Sequence, residues 1–184
     1  MTSTWLHPTL GDFTYDGIAW IATINMPAFK VFSYDTGYDN APRSTGQHEL
    51  AFVTDCDDEI PSTSAVALVD KVLVNQYELV EKMYWALWRD FTGEGAKTGM
   101  WWHGNFDEVA AELDVDVPLS DAKDLLPLLQ LSQMTVFKDL YDYKKPIIEL
   151  SFHASFEEEH GVGLLTDGDE ILGIGYSSDV DLFE

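Results

Sequence analysis

The sequence predicts an α+β fold, and three observations predict it. Asp16-Gly17 and Asp167-Gly168 each sit between short apolar-rich runs, the mark of a β-hairpin. Across residues 65–91 the apolar positions recur at three-four spacing, the mark of an amphipathic helix. Across residues 148–156 they alternate with polar ones, the period of a half-buried strand. The expected architecture is a set of N-terminal antiparallel strands, a long central helix and a C-terminal antiparallel β-meander.

Leu10-Gly11-Asp12-Phe13 opens the first hairpin, whose strands are residues 10–15 and 18–26. In the second of these, Trp20, Ala22 and Ile24 alternate with Ile21, Thr23 and Asn25. Met26-Pro27 ends it, because proline cannot donate to the ladder. Residues 30–34 are read as a third strand. Residues 35–47 carry Gly37, Asn40, Pro42 and Gly46 among polar neighbours and read as an exposed loop. Residues 48–54 return as a strand with Leu50 and Phe52 inward.

Pro61-Ser62-Thr63-Ser64 supplies a hydroxyl N-cap for the helix. Its stripe is Val69, Val72, Leu73, Tyr77, Val80, Met83, Tyr84, Leu87 and Phe91. It forms either one bent helix or two that meet near Asn75-Gln76. Gly93, Gly95 and Gly99 stop it. A shorter helix starts at Asn105 and runs to about Leu113. Another covers residues 120–129 despite Pro127, and a strand over residues 131–140 turns Met134 and Val136 inward. Residues 141–145 form a turn. Residues 146–184 then read strand, tight loop, strand, turn, strand, with Glu159-His160-Gly161 at the first loop.

The chain of 184 residues suffices for one domain with a sizeable core, with a mild lobe boundary at residues 93–104. A hydrophobic content of 46% and an aromatic content of 13% argue against wholesale disorder. No apolar run approaches the roughly 20 residues of a membrane span, and the first residues lack a basic-then-apolar leader. The single cysteine, Cys56, cannot form an internal disulfide, so a reducing cytoplasm is the expected compartment.

Charge narrows the partners. Ten Lys and Arg face 33 Asp and Glu, a formal net charge of −23. Such a field repels nucleic acid and anionic membranes, and it attracts cations and basic proteins. It also serves solubility, or life in a salty medium.

Two clusters hold the expected site residues. Glu159-His160-Gly161 has residue types for acid-base chemistry, since a carboxylate can orient an imidazole. The structural alternative gives Gly161 a positive φ at a tight bend. It lets His160 donate to a carbonyl left unpaired there, with Glu159 on the other ring nitrogen. Trp101-Trp102-His103 is an aromatic cluster suited to anchoring a ligand or a partner, or to plugging the end of a core. The binding residues are therefore Glu159, His160, Trp101, Trp102 and His103. No catalytic residue is assigned, and no metal or cofactor is expected.

Other motifs are accounted for more simply. In Asp55-Cys56-Asp57-Asp58-Glu59 the carboxylates lack the alternation and glycine of a calcium loop, so solvation and a helix-dipole role for Glu59 are expected. Asp167-Gly168-Asp169-Glu170 belongs to its hairpin. His7, His48, His103, His153 and His160 show no zinc spacing. The Lys97-Thr98 pair lacks the spacing of a phosphate loop. Acidic neighbours oppose thiolate formation at Cys56.

Phe156-Glu157-Glu158-Glu159-His160-Gly161-Val162-Gly163, after an apolar strand and before an Asp-Gly hairpin and Ile174-Gly175, resembles a family's C-terminal signature. That family consists of uncharacterised bacterial proteins sharing a domain of unknown function. Its usual form is Cys-x-Trp-Asp-x-Glu-His-Gly-hydrophobic-Gly. Ala154 and Phe156 stand where it tends to have Cys and Trp, which preserves burial and removes the thiol. Some relatives are suspected immunity proteins in toxin systems, so the resemblance implies an immunity-like binding role. The expected function is a non-enzymatic, acidic binding protein for a basic, toxin-like protein partner. The alternative is a small hydrolase using His160 with a carboxylate.

Overall fold

Ser62 and Gly93 bracket the helix that the apolar spacing announces. A computed structural model describes residues 3–36, 45–57, 59–113, 119–140 and 143–183. Helix α1 (Thr63–Phe91) runs as one uninterrupted element of 29 residues. The Ser62 hydroxyl accepts from the Ala65 N–H at 3.2 Å. Gly93, with φ +74°, closes the other end and donates to the Asp90 carbonyl at 3.0 Å. Asn75-Gln76 is no break. Gln76 is buried, and its side chain accepts from the Ala28 N–H at 2.9 Å and donates to the Leu73 carbonyl at 2.9 Å. A polar residue on the buried stripe thus has both its amide groups satisfied. Tyr77 departs from its expected place and is 70% exposed, while Leu68 and Leu79 fill the stripe instead.

The strands are β1 (Thr4–His7), β2 (Gly11–Tyr15), β3 (Ala19–Asn25) and β4 (Gln47–Val53), followed by α1 and α2 (Phe106–Glu112). Then come β5 (Leu129–Phe137), β6 (Ile147–Ala154), β7 (Glu157–Thr166) and β8 (Ile171–Tyr176). They form one eight-stranded sheet in sequential order. Neighbours are antiparallel except for β4 and β5, which pair in parallel. That pair joins the two antiparallel halves, and the helical segment between them is the crossover such a pair requires. One face of the sheet packs against α1 through Leu50, Phe52, Met134, Leu150, Phe152 and Leu164, all buried.

Residues 30–34 do not form a strand. A 3₁₀ turn, Pro27–Val31, replaces it and buries Phe29 and Phe32. Burial at i and i+3 suits a helical turn and not a period of two. The chain beyond it pairs with the second 3₁₀ segment, Ala122–Leu128, where Ser33 N–H donates to the Leu126 carbonyl at 3.2 Å. That segment was expected as an α-helix. A capping box from Asp121 and Asp124 starts it, and Pro127 inside it has no N–H to give to an α-helical ladder. The loop expected at residues 35–47 falls mostly on residues 37–44, outside the described residues, as do Asp58, Tyr141 and Asp142. Among the described residues no helix is long and apolar enough to cross a membrane.

The alternation in β6 predicts one wet face, yet Glu149 and Ser151 are buried as well. Residues 177–183 fold back across that second face. Gly163, Gly173 and Gly175 make the trough they lie in. A Cβ at Gly163 would overlap Val180, and a Cβ at Gly173 would overlap the Asp181 carbonyl. Val180 packs there with Ile147 and Leu165 in a second small core. Glu149 fastens the turn, accepting from the Ser178 N–H at 2.6 Å and from the Ser151 hydroxyl at 3.1 Å. Gly173→Ala is expected to cost about 1–3 kcal/mol by forcing the tail off the sheet, measured by urea unfolding.

His48 lies buried on β4, with Nδ1 3.3 Å from the Leu131 carbonyl and its ring beside Phe29. Its Nε2 has no partner among the described residues. Burial pushes the imidazole below its ordinary value, against the pull of that carbonyl. The unfolded chain therefore binds the proton more readily. Stability is full above about pH 6.5 and falls as the pH drops through that value toward the lower folded one. His48→Leu should flatten the decline in unfolding free energy between about pH 7 and pH 5, well above the carboxylate range.

Candidate functional site

Asp90 organises the site. It lies on the inward stripe of α1, only 1% exposed. Its carboxylate accepts from Thr98 Oγ1 at 3.0 Å, Trp102 Nε1 at 2.7 Å and His103 Nδ1 at 2.5 Å. The segment after α1 must therefore turn back on the helix end. Gly104 N–H donates to the Asp90 carbonyl at 2.9 Å. Gly93 and Gly104 pass so closely that a Cβ on Gly93 would stand 3.2 Å from the Gly104 Cα, and both have positive φ. Residues 93–104, read as a lobe boundary, are a loop closed on that carboxylate.

This closure places the two expected clusters side by side. Trp102 is wholly buried, its ring edge-on to Phe156 and Tyr176 at 5.6 Å each. It is core and offers no surface to a partner. Trp101 is partly exposed, and its indole N–H donates to Glu157 Oε2 at 2.8 Å. The other oxygen of Glu157 takes His160 Nδ1 at 3.0 Å and the His160 N–H at 3.2 Å. The His160 ring lies 4.8 Å from Tyr176. Trp101, Glu157, His160, Tyr176 and Trp102 thus make one continuous set of contacts, anchored at Asp90.

Glu159-His160-Gly161 is not a loop between strands. It lies within β7, where Glu158, Glu159, His160 and Gly161 stand opposite His153 between the pairs Ala154–Glu157 and Phe152–Val162. This is an enlarged β-bulge. Gly161 has the positive φ expected of it, +67°, and a Cβ there would overlap the Phe152 carbonyl. Among the described residues the His160 ring makes no bond to a backbone carbonyl; its Nδ1 goes to Glu157 instead. The His160 side chain is 51% exposed, and its Nε2 lies 4.0 Å from Glu159, whose own side chain is 85% exposed. Glu157 is the orienting carboxylate and Glu159 a loose neighbour. Glu158 accepts from the Tyr34 hydroxyl at 2.7 Å.

Asp90, Glu157 and Tyr176 were missing from the expected site. Asp90 carried a signal, since a carboxylate at an inward position of an apolar helical stripe demands partners. Glu157 was hidden in a run of three acids, and nothing local marked Tyr176.

Carboxylates of the other acidic runs make local contacts. Glu59, expected to favour the helix dipole, also has an ion-pair partner. It pairs with Lys138 at 3.1 Å, which holds its carboxyl below the usual range. Asp57 accepts from Ser3 Oγ at 2.8 Å. Burial pushes Asp167 up, but the Glu170 and Asp169 N–H groups outweigh it and hold the carboxyl below its usual value. Lys71 pairs with Asp169 at 2.6 Å, and Lys82 with Glu78 and Glu170 at 3.0 Å each. No group of three or more His, Cys, Asp or Glu among the described residues is placed to hold a metal ion.

Asp90→Asn leaves buried donors facing an amide and should destabilise the fold by at least about 3 kcal/mol in denaturant titrations. His160→Ala should change stability by no more than about 1 kcal/mol, because the ring is half in water.

No curated protein and no solved structure matches the chain. Residues 9–182 match the family described as Domain of unknown function (DUF6985). The match spans nearly the whole sequence, and the chain belongs to that family.

Proposed function

We propose that this chain is a non-enzymatic binding protein for a basic protein partner, met on the acidic surface around the β7 bulge. One observation carries the reading. Glu157, gripped by Trp101 and His160, fixes a bulge that presents Glu158 and Glu159 to solvent beside a partly exposed tryptophan. Carboxylates held on a strand, with an aromatic anchor at their edge, complement a cationic surface without large rearrangement. The net charge of −23 adds long-range attraction. The family resemblance makes an immunity-like role, neutralising a basic bacterial toxin, one form of this function. The lone exposed Cys56 fits a reducing cytoplasm.

The alternative, a small hydrolase, has one distance in its favour. Glu157 holds His160 Nδ1 at 3.0 Å, which leaves Nε2 to act as a base. Against it, His160 stands at the surface, and neither cavity along α1 and β8 includes it. A hydrolase needs a concave site that also holds groups to stabilise developing charge.

The partner should be retained from extracts of the source cells at about 50 mM salt and released at about 500 mM. Glu158→Lys combined with Glu159→Lys should slow its association roughly tenfold. Asp12→Lys with Asp70→Lys, an equal charge change elsewhere, should act far less. Equal effects from the two pairs, or retention indifferent to salt, would refute the proposal. Hydrolysis of a simple ester that vanishes in His160→Ala would favour the alternative.

A further inference from the structure

Along the outer side of α1, Lys82, Trp85 and Arg89 recur at i, i+3 and i+7 and so share a face. Against that face lies an open cavity of about 380 Å³, lined also by Gly95, Ile171 and Phe183. Its size sits at the lower end of the roughly 300–1,000 Å³ typical of small-molecule sites. A second cavity of about 180 Å³ adjoins it at Phe183 and is lined by Lys97. Three of the chain's ten cationic side chains therefore line two adjoining hollows, in a protein that is otherwise strongly acidic.

Charge inside the larger cavity is unequal. Lys82 is matched by Glu78 and Glu170, at 3.0 Å each. Arg89 makes no ion pair among the described residues. Nor is it needed to cap the helix. The Trp88 carbonyl takes the Thr92 N–H, the Arg89 carbonyl takes the Glu94 and Gly95 N–H groups, and the Asp90 carbonyl takes those of Gly93 and Gly104. The Trp88, Arg89 and Asp90 carbonyls at the end of α1 are thus occupied by backbone donors, and no bond from the Arg89 guanidinium to them is needed. Beside it, Trp85 is 44% exposed, a large indole with one side in the hollow.

We propose that this cavity binds a small organic carboxylate with an apolar body. The carboxylate meets the planar fork of Arg89, and the body lies against Trp85, Ile171 and Phe183. Lys82 and Glu170 also line the cavity, and the Lys82 ammonium is already matched by Glu78 and Glu170. A dianion or polyphosphate is disfavoured, since one unmatched cation cannot offset the protein's overall field. The site is separate from the β7 bulge and does not depend on the partner reading.

The probe is phenylacetate, with phenylacetamide as its uncharged counterpart, titrated into the whole protein by ligand-observed NMR. Phenylacetate should bind saturably. Phenylacetamide, and phenylacetate with Arg89→Gln, should bind at least about tenfold more weakly. Arg89→Lys, which keeps the charge and loses the fork, should fall between. Lys123→Gln, the same charge change at an exposed residue away from both cavities, should leave binding unchanged. Equal affinity for acid and amide, undiminished binding by Arg89→Gln, or no saturation by about 10 mM would overturn the assignment.

Discussion

A single buried carboxylate holds much of this molecule's geometry. Asp90 sits where α1 ends, out of water, and a charge there is tolerable only with several donors around it. Thr98, Trp102 and His103 supply them, and to do so the loop must double back within a few residues. The tight approach of Gly93 and Gly104 follows from that demand. So does the seating of Trp102 against Phe156 and Tyr176, which joins the helix end to β7 and β8. Packing and polar satisfaction are one problem here, solved by one loop.

The far side of the sheet shows the same economy with glycine in place of charge. An antiparallel sheet usually leaves one face to solvent. Here the missing side chains of Gly163, Gly173 and Gly175 let the C-terminal segment lie directly on β7 and β8. Glu149 is buried beneath it and accepts the N–H that the turn at Ser178, with φ +68°, directs toward it. The tail also bonds the edge strand β8, where the Phe183 N–H donates to the Leu172 carbonyl at 2.7 Å and takes up one of its backbone groups.

Surface charge divides into two parts. Lys71, Lys82 and Lys138 are consumed by nearby acids, and these pairs tie the Asp167–Glu170 turn and the end of β4 to their neighbours. Exposed pairs of this kind contribute little stability each, and they subtract cations from the outward field. Glu158 and Glu159 on the β7 bulge face water. Arg89, beside Trp85 at the α1 cavity, makes no ion pair among the described residues.

The sequence by itself determined the local elements. Hairpins at Asp16-Gly17 and Asp167-Gly168, the capped helix from Ser62, and the left-handed Gly161 all follow from short-range sterics and spacing, which neighbouring residues settle between themselves. It also named both halves of the candidate site, Trp101–His103 and Glu159-His160. Only the tertiary structure decided that these halves meet, that Glu157 and not Glu159 orients the imidazole, that Trp102 is core, and that β4 and β5 pair in parallel. It likewise turned residues 27–31 into a 3₁₀ turn and buried both faces of β6. The reason is range: those outcomes depend on groups many residues apart competing for the same donors and the same buried space. No local pattern records which of them prevails.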